Sequence, residues 1–281
     1  MQLSEIVYYP VKSMRGINAE SALVRQEGLP HDREWLLTRP NGEFITARKF
    51  PCMLLWQAEP VSDGLKLTAP NGESRVARIN DFDQTGNVTV WNDSFDACHS
   101  AATEIDEWLS QHLDTPCRLH YLGRQSQRLL DYSQTPLSFA DGAPYLLANT
   151  ASLAALNSEL AEPVEMRRFR ANLIIDTDLP WAENHLPPQQ QPVYQIIDTD
   201  LPWAENQWHR IRIGEIEFEL FKPCIRCVMT TVDLTTGKKH RTQQPLKTLA
   251  YNHKAIFGIN MIALNSSTVY LNDEITILES R

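Results

Sequence analysis

The sequence predicts an α+β fold that is mostly β and barrel-like, on three observations. Short runs rich in β-branched, aromatic or leucine residues recur along the chain. Asn-Gly and Asp-Gly turn signals separate them in the first half, and only two segments keep a helical apolar spacing.

In chain order, the first strands are expected over 6–11, 34–38 and 54–58. Pro40-Asn-Gly42, Asp63-Gly64 and Pro70-Asn-Gly72 mark turns, and Asn-Gly between apolar runs is the strongest short hairpin signal. A helix is expected at about 100–113, where Ile105, Trp108, Leu109 and His112 recur at helical spacing behind an acidic start. A second helix is expected over 150–160, with Thr150 as N-cap and Leu153, Leu156 and Leu160 on one face. Strands return over 173–175, 210–213, 216–221, 228–234, 259–264 and 275–278; residues 216–221 alternate as a half-buried strand does.

With 281 residues, 42% hydrophobic and 22% charged, the chain can build one large or two ordinary domains around a real core. A net charge of −9 argues against a nucleic-acid partner, whose phosphates need a basic surface, yet leaves room for a local basic pocket. No apolar run approaches the roughly 18–20 residues that cross a bilayer, so no membrane partner is expected. The N-terminus lacks a basic region followed by an apolar one, which points to the cytoplasm. The cysteines, Cys52, Cys98, Cys117, Cys224 and Cys227, are odd in number and widely spread, which argues against a disulfide framework.

One segment repeats without change: IIDTDLPWAEN over 174–184 recurs at 196–206, an offset of 196 − 174 = 22 residues. A proline- and glutamine-rich stretch, 185–192, joins the copies. Two copies do not make a solenoid, and the expected consequence is an exposed extra loop near 185–206.

The sharpest chemical feature is KPCIRCVMTTVDLTTG over 222–237. A thioredoxin-like Cys-x-x-Cys pair wants a helix start, whereas β-branched residues follow here and read as a strand and hairpin. A zinc site needs two further ligands. Cys117-Arg-Leu-His120 is a candidate half-site, but on a strand its cysteine and histidine face opposite sides.

More of the chain fits a third reading. CIRCVMTTVD over 224–233 resembles the signature of MOSC domains, found in molybdenum-cofactor sulfurases and mitochondrial amidoxime-reducing components. YPVKS (9–13), DREW (32–35) and TAR (46–48) resemble the β-barrel domain that precedes MOSC in that family. FRAN (169–172) and WAENQW (203–208) also match in order, so the resemblance covers the chain apart from the duplicated insertion. It implies an N-terminal β-barrel-like domain over 1–118 packed on a MOSC β-barrel domain with flanking helices over 119–281, with a cofactor in the cleft between them.

The resemblance implies a molybdenum cofactor with Cys227 as its metal ligand. Molybdenum prefers soft sulfur donors, so one protein thiolate beside the pterin dithiolene suffices. Arg226 is expected to favour that thiolate. Lys12, Ser13, Arg33, Arg170 and Asn172 match family positions that hold the pterin and its phosphate, a task suited to arginine's planar fork. Arg48 is a further cofactor-side candidate, Asp141 a substrate-side catalytic one, and Cys224 a packing neighbour.

The implied activity is two-electron reduction of N-hydroxylated compounds: hydroxylamines, amidoximes or N-hydroxylated nucleobases, with detoxification as the bacterial role. No plant-type cysteine spacing for an Fe–S cluster occurs in the chain, so the expected electron donor is a separate flavoprotein reductase or a ferredoxin-like domain. A cofactor carrier or sulfur-transfer module and a zinc-stabilised binding protein stay open beside the enzyme.

Overall fold

A computed structural model describes residues 1–123, 128–176 and 202–280. The first half contains β1 (Gln2–Tyr8), β2 (Ile17–Ala19), β3 (Ser21–Leu23), β4 (Trp35–Thr38), β5 (Gln57–Val61), β6 (Gly64–Thr68) and β7 (Ser74–Arg78). It continues through β8 (Gln84–Val90), β9 (Asp93–His99), α1 (Glu104–Leu113) and β10 (Arg118–Tyr121). The second half adds β11 (Tyr145–Asn149), α2 (Thr150–Ser158), β12 (Leu173–Asp176), β13 (Trp208–Ile213) and β14 (Ile216–Ile225). It closes with α3 (Leu246–Asn252), β15 (Ile256–Ala263), β16 (Thr268–Tyr270) and β17 (Ile275–Ser280).

Eight strands form the main sheet in the order β17-β13-β14-β15-β11-β12-β1-β2, curled into a half-barrel. The curl brings its ends together: Gln2 bridges Glu274, and Ile275 N–H donates to the Met1 carbonyl at 3.1 Å. Its interior is packed by Trp208, Phe218, Tyr145 and Ile259. A four-stranded sheet, β4-β10-β9-β8, and a three-stranded one, β5-β6-β7, make the N-terminal unit, whose core holds Trp56, Trp108, Leu109 and Leu119. The two halves interleave, since β1 pairs with β12 and β3 pairs with β16. Among the described residues no helix is long and apolar enough to cross a membrane.

Local chemistry explains most of these elements. The β6–β7 hairpin turns at Asn71-Gly72, and Gly72 takes φ +91° there. Gly42, at φ +85°, is required twice over, because an added Cβ would lie 2.6 Å from the Asn87 carbonyl oxygen. Helix α1 carries Glu104, Asp106 and Glu107 in its first turn, where the helix dipole favours acids, and ends on left-handed Asp114.

Several boundaries differ from expectation for identifiable reasons. The first strand ends at Tyr8 rather than 11, because Pro10 has no N–H to give a ladder. Residues 51–55 form a 3-10 turn opened by Pro51, so the strand expected from 54 starts at Gln57. Helix α1 begins at Glu104, not 100. The N-cap of α2 is Asn149, whose side chain accepts from Ala151 N–H at 3.0 Å; Thr150 is already helical and instead donates to Asp176. The strand expected over 228–234 is a 3-10 turn, Val228–Thr231. The Thr230 and Thr231 hydroxyls bond back to the Cys227 and Val228 carbonyls at 3.0 and 2.8 Å, offering the backbone an alternative to a sheet ladder.

Most of the duplicated stretch, residues 177–201, lies outside the described residues, as does the expected loop. The end of the second copy is described. Its Trp203 stacks on His253 at 4.3 Å, and its buried Glu205 accepts both contacts of the Ser152 hydroxyl, at 2.9 and 3.0 Å.

Candidate active site

A cavity of about 300 Å³ opens where the two halves meet. Lys12, Ser13, Arg33, Arg48, Asp141, Arg170, Asn172, Arg226 and Cys227, the complete set singled out from sequence, all line it. They come from distant stretches: the segment after β1, the turn before β4, the loop before β11, the end of the 3-10 turn Met166–Phe169, and the chain just past β14. Three hold left-handed backbones, Ser13 at φ +71°, Arg33 at +52° and Arg170 at +55°. Such conformations cost non-glycine residues about 1 kcal/mol or more and gather at sites where function fixes the geometry.

The floor is a stack of cations. The Arg33 and Arg170 guanidinium carbons lie 4.3 and 4.1 Å from the centre of the buried Tyr9 ring. Arg33 Nη1 donates to both carboxylate oxygens of Asp32, at 2.7 and 2.6 Å, and Asp32 Oδ1 also accepts from Tyr9 N–H at 2.8 Å. Burial pushes the Asp32 carboxyl up, while Arg33 opposes it. Arg170 donates to the Met14 carbonyl at 2.6 Å; burial, then the adjacent Arg33 charge, lowers it to about 10. Asn172 works as a strut, accepting from Arg33 at 3.2 Å and donating to the Val7 carbonyl at 3.1 Å.

Lys12 stands at the wall with its ammonium on the Phe139 carbonyl at 2.6 Å and on Asp141. Burial lowers it to about 8, against the pull of Asp141. Burial also pushes the Asp141 carboxyl up, but Lys12 and Arg48 outweigh it and hold the carboxyl well below the usual carboxylate range. Arg48 reaches Asp141 Oδ2 at 3.2 Å. Arg128, absent from the sequence-based set, ties down the loop that carries Asp141: it bonds Asp93 at 2.6 Å, the Ser138 carbonyl at 3.2 Å and the Ala140 carbonyl.

Both residues of the Cys-x-x-Cys pair also line the cavity, Cys224 within the last residues of β14 and Cys227 two residues past its end. Here one expectation is corrected. Arg226 Nη1 donates to Cys224 Sγ at 2.8 Å and Nη2 to the Phe169 carbonyl at 2.5 Å, so the guanidinium addresses Cys224 rather than Cys227. Cys224 and Arg226 are two residues apart, the spacing that puts side chains of an extended chain on one face, whereas the adjacent Cys227 falls on the other. Cys117 is buried with the Trp108 core, and His120 pairs with Thr38 at 3.0 Å. Among the described residues no three His, Cys, Asp or Glu side chains gather as a metal-ion site, so the zinc set does not assemble.

The lining fits an anionic group held by sulfur. Seven basic side chains, Lys12, Arg33, Arg48, Arg168, Arg170, Lys222 and Arg226, face one carboxylate, Asp141. The Nε atoms of Arg168 and Arg226 are buried without a hydrogen-bond partner, as donors awaiting a ligand would be. Arg168, Asp32 and Trp91, whose indole N–H donates to Asp141 at 3.1 Å, went unrecognised in the sequence. Arg168 was legible as the neighbour of Arg170 in RRFR, and Trp91 as a large aromatic in a hairpin turn.

The charge state of Lys12 sets a pH dependence. Its folded value of about 8 lies below the ordinary 10.5, so the cleft loses a positive charge as pH rises through 8. Methyl phosphate, with its second ionisation near pH 6, keeps one charge from pH 7 to 9, at about −2. Its affinity, measured by thermal shift, is expected to fall between pH 7 and 9 with a midpoint near 8. Lys12→Gln should remove that step, and an identical step in the variant would assign it elsewhere.

Comparison with known proteins gives matches over both halves. The MOSC N-terminal beta barrel domain matches residues 1–116 and the MOSC domain residues 134–276. A molybdenum cofactor sulfurase from Drosophila grimshawi is 28% identical over 99% of this chain, which spans 34% of that protein's length. The mitochondrial amidoxime-reducing component 1 of Homo sapiens is 26% identical over 98% of this chain and 82% of its own length. Among solved structures, the YUAD protein from Bacillus subtilis aligns over 98% of this chain and 93% of its own with a TM-score of 0.42 and 9% identity.

Proposed function

This chain belongs to the MOSC family, and from that premise we propose that its cleft holds the molybdenum cofactor through the Cys227 thiolate and that the protein reduces N-hydroxylated compounds. The observation that carries the reading is the single cavity that joins Cys227 to a cationic lining with unpartnered arginine donors. The chain spans about a third of the length of the sulfurase it matches and 82% of that of the amidoxime-reducing component.

When bound, the cofactor supplies a two-electron couple that can take an oxygen from an N–O bond. The overall balance is N-hydroxy compound plus two electrons and two protons giving the N–H compound and water. Arg33 and Arg170, stacked on Tyr9, present fixed donors for the phosphate and pterin. Arg168 and Arg226 each keep a buried Nε–H for the same ligand. Asp141 stays ionised between Lys12 and Arg48 and accepts an N–H or O–H of the substrate, which orients the N–O group. With Lys12 at about 8, the Lys12–Asp141 pair holds a proton that is exchangeable near neutral pH. Electrons come from a flavoprotein reductase or a ferredoxin-like domain.

Turnover of benzamidoxime to benzamidine, with reduced methyl viologen as artificial donor, tests the reading on cofactor-loaded protein. Steady benzamidine formation is expected. Cofactor retained without any turnover would favour the carrier.

A further inference from the structure

We propose that Trp91 selects the shape of the substrate: its indole is a platform for flat, conjugated N-hydroxylated molecules at the mouth of the cleft. This rests on the reductase reading and adds to it the residue that sets substrate class.

The turn that holds Trp91 joins β8 to β9, and Trp91 sits there at φ +58°. A left-handed hairpin position asks for Gly, Asn or Asp, because a bulky side chain is strained there. Trp normally contributes by burying a large apolar area. This one is 45% exposed. Neither turn geometry nor core packing accounts for a tryptophan at this place.

Its surroundings aim it at the cleft. The indole N–H donates to Asp141 Oδ1 at 3.1 Å, the Arg48 guanidinium carbon lies 4.4 Å from the ring centre, and Phe44 packs at 5.1 Å. Asp141 and Arg48 both line the cavity. From the other half of the chain, Ile225 lines the same cavity and is 70% exposed. Two large apolar side chains are thus left to solvent, Ile225 in the lining and Trp91 against two of its charged members, Asp141 and Arg48. Charges suffice for an anionic cofactor. The apolar pair suits a further ligand that is planar and apolar at one end and polar at the other, as an aromatic amidoxime or an N-hydroxylated heterocycle is. Such a ring stacks on Trp91 and contacts Ile225, with its N-hydroxy end led toward Asp141.

The test compares benzamidoxime with acetamidoxime, the same functional group on a flat ring and on a methyl. Dissociation constants come from ligand-observed NMR titrations of the cofactor-loaded protein, alongside turnover. Two variants are used: Trp91→Asn, which suits a left-handed turn and so keeps the hairpin, and Trp91→Phe, which keeps a ring but loses the N–H. Trp91→Asn is expected to weaken benzamidoxime by about tenfold, as loss of an aromatic stacking partner does. It should shift acetamidoxime by less than about twofold, and Trp91→Phe should keep most of the preference for the ring. Equal weakening of both ligands, or of neither, overturns the proposal. So does a Trp91→Phe that behaves like Trp91→Asn, since the residue then acts through its hold on Asp141. Selectivity of binding without turnover would leave the platform standing and sink the reductase reading, and turnover with unchanged selectivity would do the reverse.

Discussion

Cys227→Ser is expected to lower benzamidoxime turnover by at least about 10³-fold, the scale of removing a group on which the chemistry depends. A thiolate is a soft, anionic donor, and a serine hydroxyl at neutral pH is neither, so the substitution would remove the proposed bond to molybdenum while barely changing volume. Cys224→Ser is the control. Cys224 Sγ accepts from Arg226 Nη1, a contact that serine can also make, and its loss should cost about tenfold or less, as changes next to a metal ligand do. Equal losses from the two variants, measured at matched protein concentration with the artificial donor, would mean that the pair acts together and that Cys227 has no special role.

The second large effect is on stability. Asp32→Ala should destabilise the fold by about 3 kcal/mol or more, the usual result of leaving one partner of a buried ion pair alone. Asp32 is 2% exposed and holds both the Arg33 guanidinium and the Tyr9 N–H. Without it, Arg33 would face Arg170 across the Tyr9 ring with no compensating carboxylate. Urea denaturation reads the change, and a midpoint shift of under about 0.5 kcal/mol equivalent would show that the Arg33 bonds to Asn172 and the Arg170 carbonyl suffice. The same variant should also lose methyl phosphate affinity, because Arg33 would no longer be held in place.

Much of this site was legible because its chemistry is written in short, local motifs. YPVKS, DREW and FRAN each carry a residue that reaches the cavity, and KPCIRC carries both sulfurs. The mostly β class was legible too, since turns such as Asn71-Gly72 leave unambiguous signals. What escaped depends on tertiary placement. The interleaving of β1 and β3 with strands from the far end of the chain leaves no local trace. The 3-10 turn after Cys227 was hidden because β-branched threonines read as strand until their hydroxyls are seen bonding back to the main chain. The direction of Arg226 was lost for a related reason, as adjacency in sequence does not decide which sulfur a long side chain meets. Trp91 went unread in the sequence, since its exposure and its bond to Asp141, placed together, are what mark it out.

The central claim is that Cys227 holds molybdenum in this cleft, and elemental analysis of protein purified from a cofactor-producing host tests it most directly. The expected result is near-stoichiometric molybdenum in the wild type, lost in Cys227→Ser and largely kept in Cys224→Ser. Zinc in place of molybdenum, or molybdenum content unchanged by Cys227→Ser, would contradict it.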